Sequence, residues 1–277
     1  MKAASFRYER AASVQEALRI LDSEGPAAKL IAGGQSLGPM LNLRIVQPPV
    51  LIDISAISEL RRVSADGAGL TLGACVTHAD IEDDRIVAGL GGVLARIAAG
   101  IAYRAVRNRG TIGGSLCHAD PAADWVTTLP ALGASVVVRG LRGERSLPVE
   151  TFLTGALTTA LAAGELVVAV RVPRRPPRSL FGYAKSCRKV GEFSKASAAI
   201  SLEPDTMVGR VALGALDGAP RLASAQDLLS KGRDMGAPFR VNAAAASAAL
   251  IAAGVADPVR RHIHAAVLAR AALEMAA

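Results

Sequence analysis

The chain has 277 residues, of which 51% are hydrophobic and 3% aromatic, and it carries a formal net charge of +8. This length suits two domains with a substantial core, and no apolar run reaches the roughly 18 residues that cross a bilayer. The basic residues are scattered and aromatic residues are scarce, which disfavours a nucleic-acid binder. The first residues lack the apolar centre of a signal peptide, so we expect a cytoplasmic protein with no membrane span.

The cysteines Cys75, Cys117 and Cys187 are few and widely spaced. This pattern matches neither a disulfide framework nor the ligand set of a zinc or iron–sulfur site. We therefore expect reduced thiols and no metal bound by this chain.

Capping residues and apolar spacing predict the elements of the first half. Ser13 and Glu16 have the spacing of a capping box, which starts a helix. Asp120 followed by Pro121 predicts another helix start, because aspartate is a good N-cap and proline suits the first helical position. Between these points we expect strands at 29–32, 50–54 and 70–76, a helix at 90–103 and a loop at 107–118.

Valine-rich segments at 135–139 and 166–172 predict two further strands. The sequence PRRPP at 173–177 breaks both helix and strand, so we place a boundary there between domains of residues 1–175 and 178–277. The second domain is expected to have antiparallel strands at 181–187, 196–202 and 210–216, and helices near 224–230, 242–253 and 258–275. Helices and strands mix without a regular βαβ rhythm, so the predicted class is α+β.

Two glycine-rich segments are candidates for ligand binding. In the first, a strand runs into Gly33 and Gly34, followed by Gln35 and Ser36. Glycine lets the backbone approach a ligand closely, and successive free N–H groups form a nest for an anion. The second segment, RGTIGGS at 109–115, repeats the paired glycines and hydroxyls. Together they suit a ligand with two phosphates held from two sides.

Other interpretations of these segments stay open at this point. Paired glycines are common in turns, and neither segment matches G-x-G-x-x-G or the Walker A pattern. A basic scaffold that binds nucleic acid is an alternative, which predicts a colourless protein with salt-dependent binding.

The same segments resemble a known family. The sequences AGGQSLGPMLNLR at 32–44 and RNRGTIGGSLCHADPAAD at 107–124 resemble the FAD-binding medium subunits of molybdenum hydroxylases. That group includes the medium subunit of carbon monoxide dehydrogenase and the flavin domain of xanthine dehydrogenase. The resemblance runs nearly end to end. It implies an FAD-binding domain of the PCMH type, with subdomains at about 1–55 and 56–175, followed by a smaller α+β domain.

The resemblance also implies roles for individual residues in holding FAD non-covalently. The first loop of the family wraps the pyrophosphate, and the second completes the phosphate and ribityl site. By this likeness, the loop residues are Ala32, Gly33, Gly34, Gln35, Ser36, Leu37, Thr111, Ile112, Gly113, Gly114 and Ser115.

Four more residues receive roles from the resemblance. Asp124 corresponds to an aspartate on the flavin side, Leu166 or Val167 to an apolar contact at the adenine end, and Lys185 to a lysine that reaches the flavin. One departure concerns the segment Gly191-Glu192-Phe193-Ser194, where many relatives have Gly-Asp-Phe-Ala, so the role of Glu192 is left open. His118 could attach FAD covalently, but the resemblance implies non-covalent binding.

The function implied is an electron-transferring oxidoreductase subunit. Its expected partners are a large molybdopterin-binding subunit and a small subunit with 2Fe-2S clusters, in a dimer of heterotrimers. The substrate of the complex and the final acceptor, whether oxygen, NAD or a quinone, are not specified by this sequence. The alternative is a stand-alone FAD-dependent reductase of the same fold, similar to an enolpyruvyl sugar nucleotide reductase, which would use NADPH unaided.

Overall fold

The computed structural model describes residues 2–83, 91–234 and 237–275. The strands are β1 (Arg7–Arg10), β2 (Lys29–Ile31), β3 (Val50–Asp53), β4 (Val63–Ala65), β5 (Gly69–Gly73), β6 (Ser135–Gly140), β7 (Gly143–Pro148), β8 (Leu153–Gly155), β9 (Thr158–Thr159), β10 (Leu166–Pro173), β11 (Leu180–Ser186), β12 (Ala196–Leu202), β13 (Gly209–Gly214), β14 (Arg221–Ser224), β15 (Leu229–Asp234) and β16 (Ala237–Val241). The helices are α1 (Val14–Glu24), α2 (Leu37–Asn42), α3 (His78–Glu82), α4 (Gly91–Ala99), α5 (Arg104–Arg107), α6 (Ile112–His118), α7 (Asp124–Ala131), α8 (Val149–Phe152), α9 (Ala225–Leu228), α10 (Ala243–Ala252) and α11 (Pro258–Glu274), with a short 3-10 helix at Ser58–Arg61.

The first sheet is parallel, with the strand order β1–β3–β2. Its central strand β3 is entirely buried, and α1 packs on it through Val14, Ala17, Leu18 and Leu21. The predicted cap of α1 is confirmed, because the Ser13 hydroxyl accepts a hydrogen bond from the Glu16 N–H. The Glu16 carboxylate reaches back one residue further than expected and accepts from the N–H of Ala12 at 2.6 Å.

The second sheet is antiparallel, with the order β4–β5–β10–β6–β7. Its central strand β10 separates two cores. Leu166 and Val168 pack toward the first sheet, whereas Val167 and Val170 pack against the helices on the other face. The pairing of β10 with β6 shifts between Val167 and Ala169. This bulge changes which face the following side chains occupy.

Two local predictions in the middle of the chain are wrong. The segment expected as a loop contains the helix α6, because the Thr111 hydroxyl accepts from the N–H of Gly114 and caps its start. Paired glycines are poor helix formers, so composition concealed this helix. The Asp120–Pro121 pair does not start a helix. The Asp120 carboxylate accepts from the N–H of Ala122 at 2.9 Å, closing a turn, and α7 begins only at Asp124.

The third sheet is an antiparallel meander in the order β11–β12–β13–β14. Its first three strands confirm the antiparallel strands predicted at 181–187, 196–202 and 210–216. One face packs on α7, whose residues are all buried. There the Thr127 and Ser197 hydroxyls are hydrogen-bonded at 2.8 Å. The other face packs on α11. The helix α7 therefore lies between the second and third sheets.

The predicted helices at 242–253 and 258–275 are confirmed as α10 and α11. The helix expected at 224–230 is only the short α9, because the chain becomes strand β15 at Leu229. Of the helix expected at 90–103, α4 covers Gly91–Ala99, and position 90 lies outside the described residues. The mixed α+β class is confirmed, while the division at 175 stays a prediction.

Candidate functional site

A cavity of about 1150 Å³ lies between the first sheet, the start of α6 and the start of β10. Thirteen of the fifteen residues proposed from the sequence line it. They are Ala32, Gly33, Gly34, Gln35, Ser36, Leu37, Thr111, Gly113, Gly114, Ser115, Asp124, Leu166 and Val167. Small-molecule sites commonly have about 300–1,000 Å³, so this volume suits a ligand as large as a dinucleotide.

The first glycine segment has the geometry of an anion nest. Gly34 has a φ of 70°, a left-handed conformation that glycine adopts without strain. Its carbonyl accepts from the N–H of Gly38 at 2.8 Å as the chain enters α2. Within the described part of the chain, the N–H groups of Gly34, Gln35 and Ser36 have no hydrogen-bond acceptor. These N–H groups at the cavity wall can donate hydrogen bonds to phosphate oxygens.

The two glycine segments contact each other directly. A Cβ on Gly33 would lie 2.0 Å from the backbone oxygen of Arg109. The sequence interpretation assigned this glycine to the approach of a ligand. The structure shows that its missing side chain is needed first for the packing of the two segments.

The second segment differs from the first in its hydrogen bonding. The N–H of Ile112 donates to the Val76 carbonyl at 3.1 Å, and that of Gly113 donates to the Ala74 carbonyl at 3.0 Å. The N–H of Gly114 donates to the Thr111 hydroxyl at 3.1 Å. The backbone N–H groups of Ile112, Gly113 and Gly114 are therefore already bonded and do not form a second nest. This segment offers the cavity hydroxyls and a close, small-residue surface.

Ile112 is the first of the two predicted residues that do not line the cavity. Its side chain is fully buried in the core beside Ala74, Val76 and Leu116. It anchors the start of α6 from behind, which places the neighbouring Thr111 and Gly113 at the cavity wall.

Lys185 is the second, and it reaches the site through Asp124. Its ammonium group donates to the Asp124 carboxylate at 2.7 Å and to the Gly100 carbonyl at 2.9 Å. The same carboxylate oxygen accepts from the Tyr183 hydroxyl at 2.8 Å. Burial, together with the negative charge of Asp124, raises the pKa of Tyr183 well above its usual range. Asp124 thus presents a carboxylate, held by two donors from β11, to the cavity.

His78 was not selected from the sequence, yet it lines the cavity. Trp125 donates its indole N–H to Nδ1 of His78 at 3.2 Å. Burial, followed by the charge of Arg107, lowers the His78 pKa to about 4. The imidazole is therefore neutral near pH 7, with its proton on Nε2. No local pattern identifies this residue, because its partner is 47 positions away.

Further cavity residues were not among the FAD contacts predicted from the sequence. They include Ile101, Ala102, His118, Asp120, residues 161–165, Gly191, Glu192 and Phe193. Gly191 has a φ of 87°, and a Cβ there would lie 2.6 Å from the Ala102 carbonyl oxygen. Phe193 is 69% exposed although it lines the cavity. Its exposure is visible only in the structure, so the sequence pattern alone did not identify it.

Arg107, just before the second segment, has a structural role. Its guanidinium binds both carboxylate oxygens of Glu82, at 2.7 and 2.8 Å, and donates to the Ile101 and Ala102 carbonyls.

Among the described residues, no group of histidine, cysteine or acidic side chains is arranged to hold a metal ion. The described helices include none that is long and apolar enough to cross a membrane.

Comparison with known proteins agrees with this site. The family described as FAD binding domain in molybdopterin dehydrogenase matches residues 4–175. The nicotine 6-hydroxylase medium subunit of Paenarthrobacter nicotinovorans is 34% identical, over 93% of this chain and 90% of its own length. The carbon monoxide dehydrogenase medium chain of Hydrogenophaga pseudoflava is 39% identical, over 70% of this chain and 68% of its own length.

Solved structures agree along the whole chain. Carbon monoxide dehydrogenase from Hydrogenophaga pseudoflava superposes with a TM-score of 0.86 and 32% identity, covering 99% of this chain and 98% of that chain. Quinoline 2-oxidoreductase from Pseudomonas putida 86 superposes with a TM-score of 0.84 and 32% identity, covering 100% and 98%.

The fold and the site therefore define an FAD-binding component of an oxidoreductase. The chain belongs to the FAD-binding family of the molybdopterin dehydrogenases, together with medium subunits of molybdenum hydroxylases. This confirms the family that the two glycine segments indicated.

Proposed function

We propose that this chain is the FAD-binding medium subunit of a heterotrimeric molybdenum hydroxylase, and that it relays electrons from 2Fe-2S clusters of a partner subunit to an external acceptor. The observation that carries the proposal is the meeting of thirteen family-motif residues around one dinucleotide-sized cavity. When bound, FAD supplies the redox chemistry, and the protein supplies orientation and charge.

The nest formed by the N–H groups of Gly34, Gln35 and Ser36 would hold the pyrophosphate of FAD, with Ala32, Gly33 and Leu37 shaping the wall around it. Thr111, Gly113, Gly114 and Ser115 would complete the phosphate and ribityl site. Leu166 and Val167, where β10 begins, would contact the adenine end through apolar surface.

Asp124 would lie at the flavin end. Lys185 does not line the cavity, so its contribution there would run through the carboxylate that it holds in place. The fixed Asp124 carboxylate and the neutral His78 would give the cavity wall one acceptor and one N–H donor. Such preset hydrogen-bonding groups select the orientation of a polar ring without needing to move when the ring binds.

The proposed partners are a large molybdopterin-binding subunit and a small 2Fe-2S subunit, assembled as a dimer of heterotrimers in the cytoplasm. Relatives named medium subunit or medium chain support the heterotrimer. The free thiols of Cys75, Cys117 and Cys187 agree with a reducing compartment.

The test is co-expression of this chain with candidate large and small subunits from the same genome. A complex with bound flavin, absorbing at about 450 nm, that is bleached by the substrate of the large subunit supports the proposal. The isolated chain should bind FAD and not turn over with NADPH. Unaided NADPH turnover would favour the stand-alone reductase instead.

A further inference from the structure

A second cavity, of about 430 Å³, lies between α4 and the segment that follows β10. It shares no lining residue with the first cavity. Its walls are apolar except for two arginines and one serine. The apolar lining includes Leu94, Leu132 and Val172, and the polar residues are Arg96, Arg175 and Ser179.

Arg175 is the unusual member of this lining. Its Nε and Nη2 atoms are buried and have no hydrogen-bond partner in the part of the chain that the structure describes. The guanidinium carbon lies 5.7 Å from the centre of the Phe181 ring. Burial, and then the positive charge of Arg96, lowers the pKa of Arg175. Buried polar groups in proteins are nearly always satisfied, so two unpaired donors on one charged group require an explanation.

The second arginine adds to the positive charge of the cavity. Arg96 donates through Nη2 to the Phe181 carbonyl at 3.2 Å, and this bond does not neutralise its charge. No acidic side chain occurs among the described residues that line the cavity. Other arginines near this segment do have acidic partners, since Arg178 pairs with Asp205 and Arg210 with Glu150. Within the described ranges, Arg96 and Arg175 form no such ion pair, so the charge of this cavity is not balanced by the chain.

We infer that the cavity binds a small oxyanion, a phosphate or a carboxylate, between Arg175 and Arg96. An oxyanion accepts hydrogen bonds from the planar edge of a guanidinium, so it would satisfy the unpaired Nε and Nη2 donors together. It would also neutralise the repulsion between the two like charges. The hydroxyl of Ser179 supplies a further donor at the same wall.

The test uses the full chain saturated with FAD, so that the phosphate-binding loop of the first cavity is filled. Thermal unfolding is followed while sodium phosphate, or sodium acetate, replaces sodium chloride at constant ionic strength and pH. Phosphate or acetate should raise Tm saturably, by roughly 3–6 °C at ten times Kd, relative to chloride. Saturation by phosphate assigns a phosphoryl ligand, and saturation by acetate alone assigns a carboxylate.

Three variants locate the effect. Arg175→Met should weaken the oxyanion response at least tenfold, and Arg96→Met should weaken it less. Arg174→Met is the matched control, because Arg174 is the adjacent exposed arginine and does not line the cavity. In chloride alone, Arg175→Met should have an equal or higher Tm, because it removes an uncompensated charge and keeps an apolar cover over Phe181.

Two results would overturn the inference. One is a response of Arg175→Met equal to that of the unchanged chain, and the other is no saturable difference between chloride and both oxyanions.

Discussion

Asp124 and Lys185 form an ion pair of 2.7 Å that joins α7 to the first strand of the third sheet. Their side chains are only 9% and 14% exposed, so solvent screens the pair weakly. The Gly100 carbonyl and the Tyr183 hydroxyl complete the cluster. The carboxylate that faces the cavity is thus held by the part of the chain beyond the predicted domain boundary.

Removing one member of this pair should cost both stability and FAD affinity. Lys185→Met leaves the Asp124 carboxylate buried with Tyr183 as its one remaining side-chain donor in the described structure. The expected loss in the free energy of unfolding is about 3–5 kcal/mol, measured by urea unfolding. The double variant Asp124→Asn, Lys185→Met should recover part of this loss. A loss in the double variant equal to the sum of the losses in Asp124→Asn and Lys185→Met would show that the pair is not coupled.

The free N–H groups of the first segment make a prediction about Gly34 and Gly38. Gly34→Ala forces a Cβ onto a left-handed backbone, at a cost of about 1–2 kcal/mol, and should weaken FAD binding at least tenfold by deforming the nest. Gly38→Ala is the control, because its Cβ would meet open space within α2 and alanine favours a helix. Fluorescence quenching of FAD measures both affinities. Unchanged FAD affinity in Gly34→Ala would show that the nest does not bind the pyrophosphate.

Gly33 makes a poor probe of ligand binding, although it belongs to the same motif. Gly33→Ala should lower the free energy of unfolding even without FAD, because its Cβ would overlap the Arg109 carbonyl. We expect a loss of about 1–3 kcal/mol in urea unfolding of the FAD-free chain. A variant with normal stability and lost FAD would show instead that the glycine serves the ligand alone.

The hydroxyl of Thr111 should stabilise the start of α6, because it accepts a hydrogen bond from the Gly114 N–H. Thr111→Val removes the acceptor for the Gly114 N–H and should cost about 1 kcal/mol of unfolding free energy. Thr111→Ser keeps the hydroxyl and should stay within about 0.5 kcal/mol of the unchanged chain. If valine is tolerated as well as serine, the cap does not hold the start of α6.

Two buried histidines predict how stability depends on pH. Burial lowers the pKa values of His78 and His264 to about 4, below the ordinary value of 6.5. The unfolded chain therefore binds these protons first, and stability is lost as the pH falls from about 6.5 to about 4. Each histidine contributes about 3 kcal/mol to this loss. Urea unfolding at several pH values measures the slope.

His264→Leu tests the assignment. Neither ring nitrogen of His264 has a hydrogen-bond partner among the described residues, so leucine should increase the stability at pH 7 by about 1–3 kcal/mol. The substitution should also remove about half of the decrease in the free energy of unfolding between pH 6.5 and pH 4. A slope unchanged by this substitution would mean that other groups govern acid unfolding.

Much of the site followed from local patterns. The cap at Ser13, the strand before Gly33 and the left-handed Gly34 depend on neighbouring residues, so the sequence indicates them directly. The combination of two glycine segments indicated the family. Thirteen of its proposed residues meet at one cavity, although their binding roles stay predictions.

The tertiary structure alone decided which groups are available for chemistry. Lys185 and Arg107 are equally charged in the sequence, but carboxylates distant along the chain already hold both of them. Arg175 has no such partner among the residues that the structure describes, and His78 is neutral because Trp125 and the core surround it. In the second glycine segment, the N–H groups of Ile112 and Gly113 donate to the carbonyls of Val76 and Ala74. Hydrogen bonds and charges between distant residues depend on packing, and local sequence does not encode them.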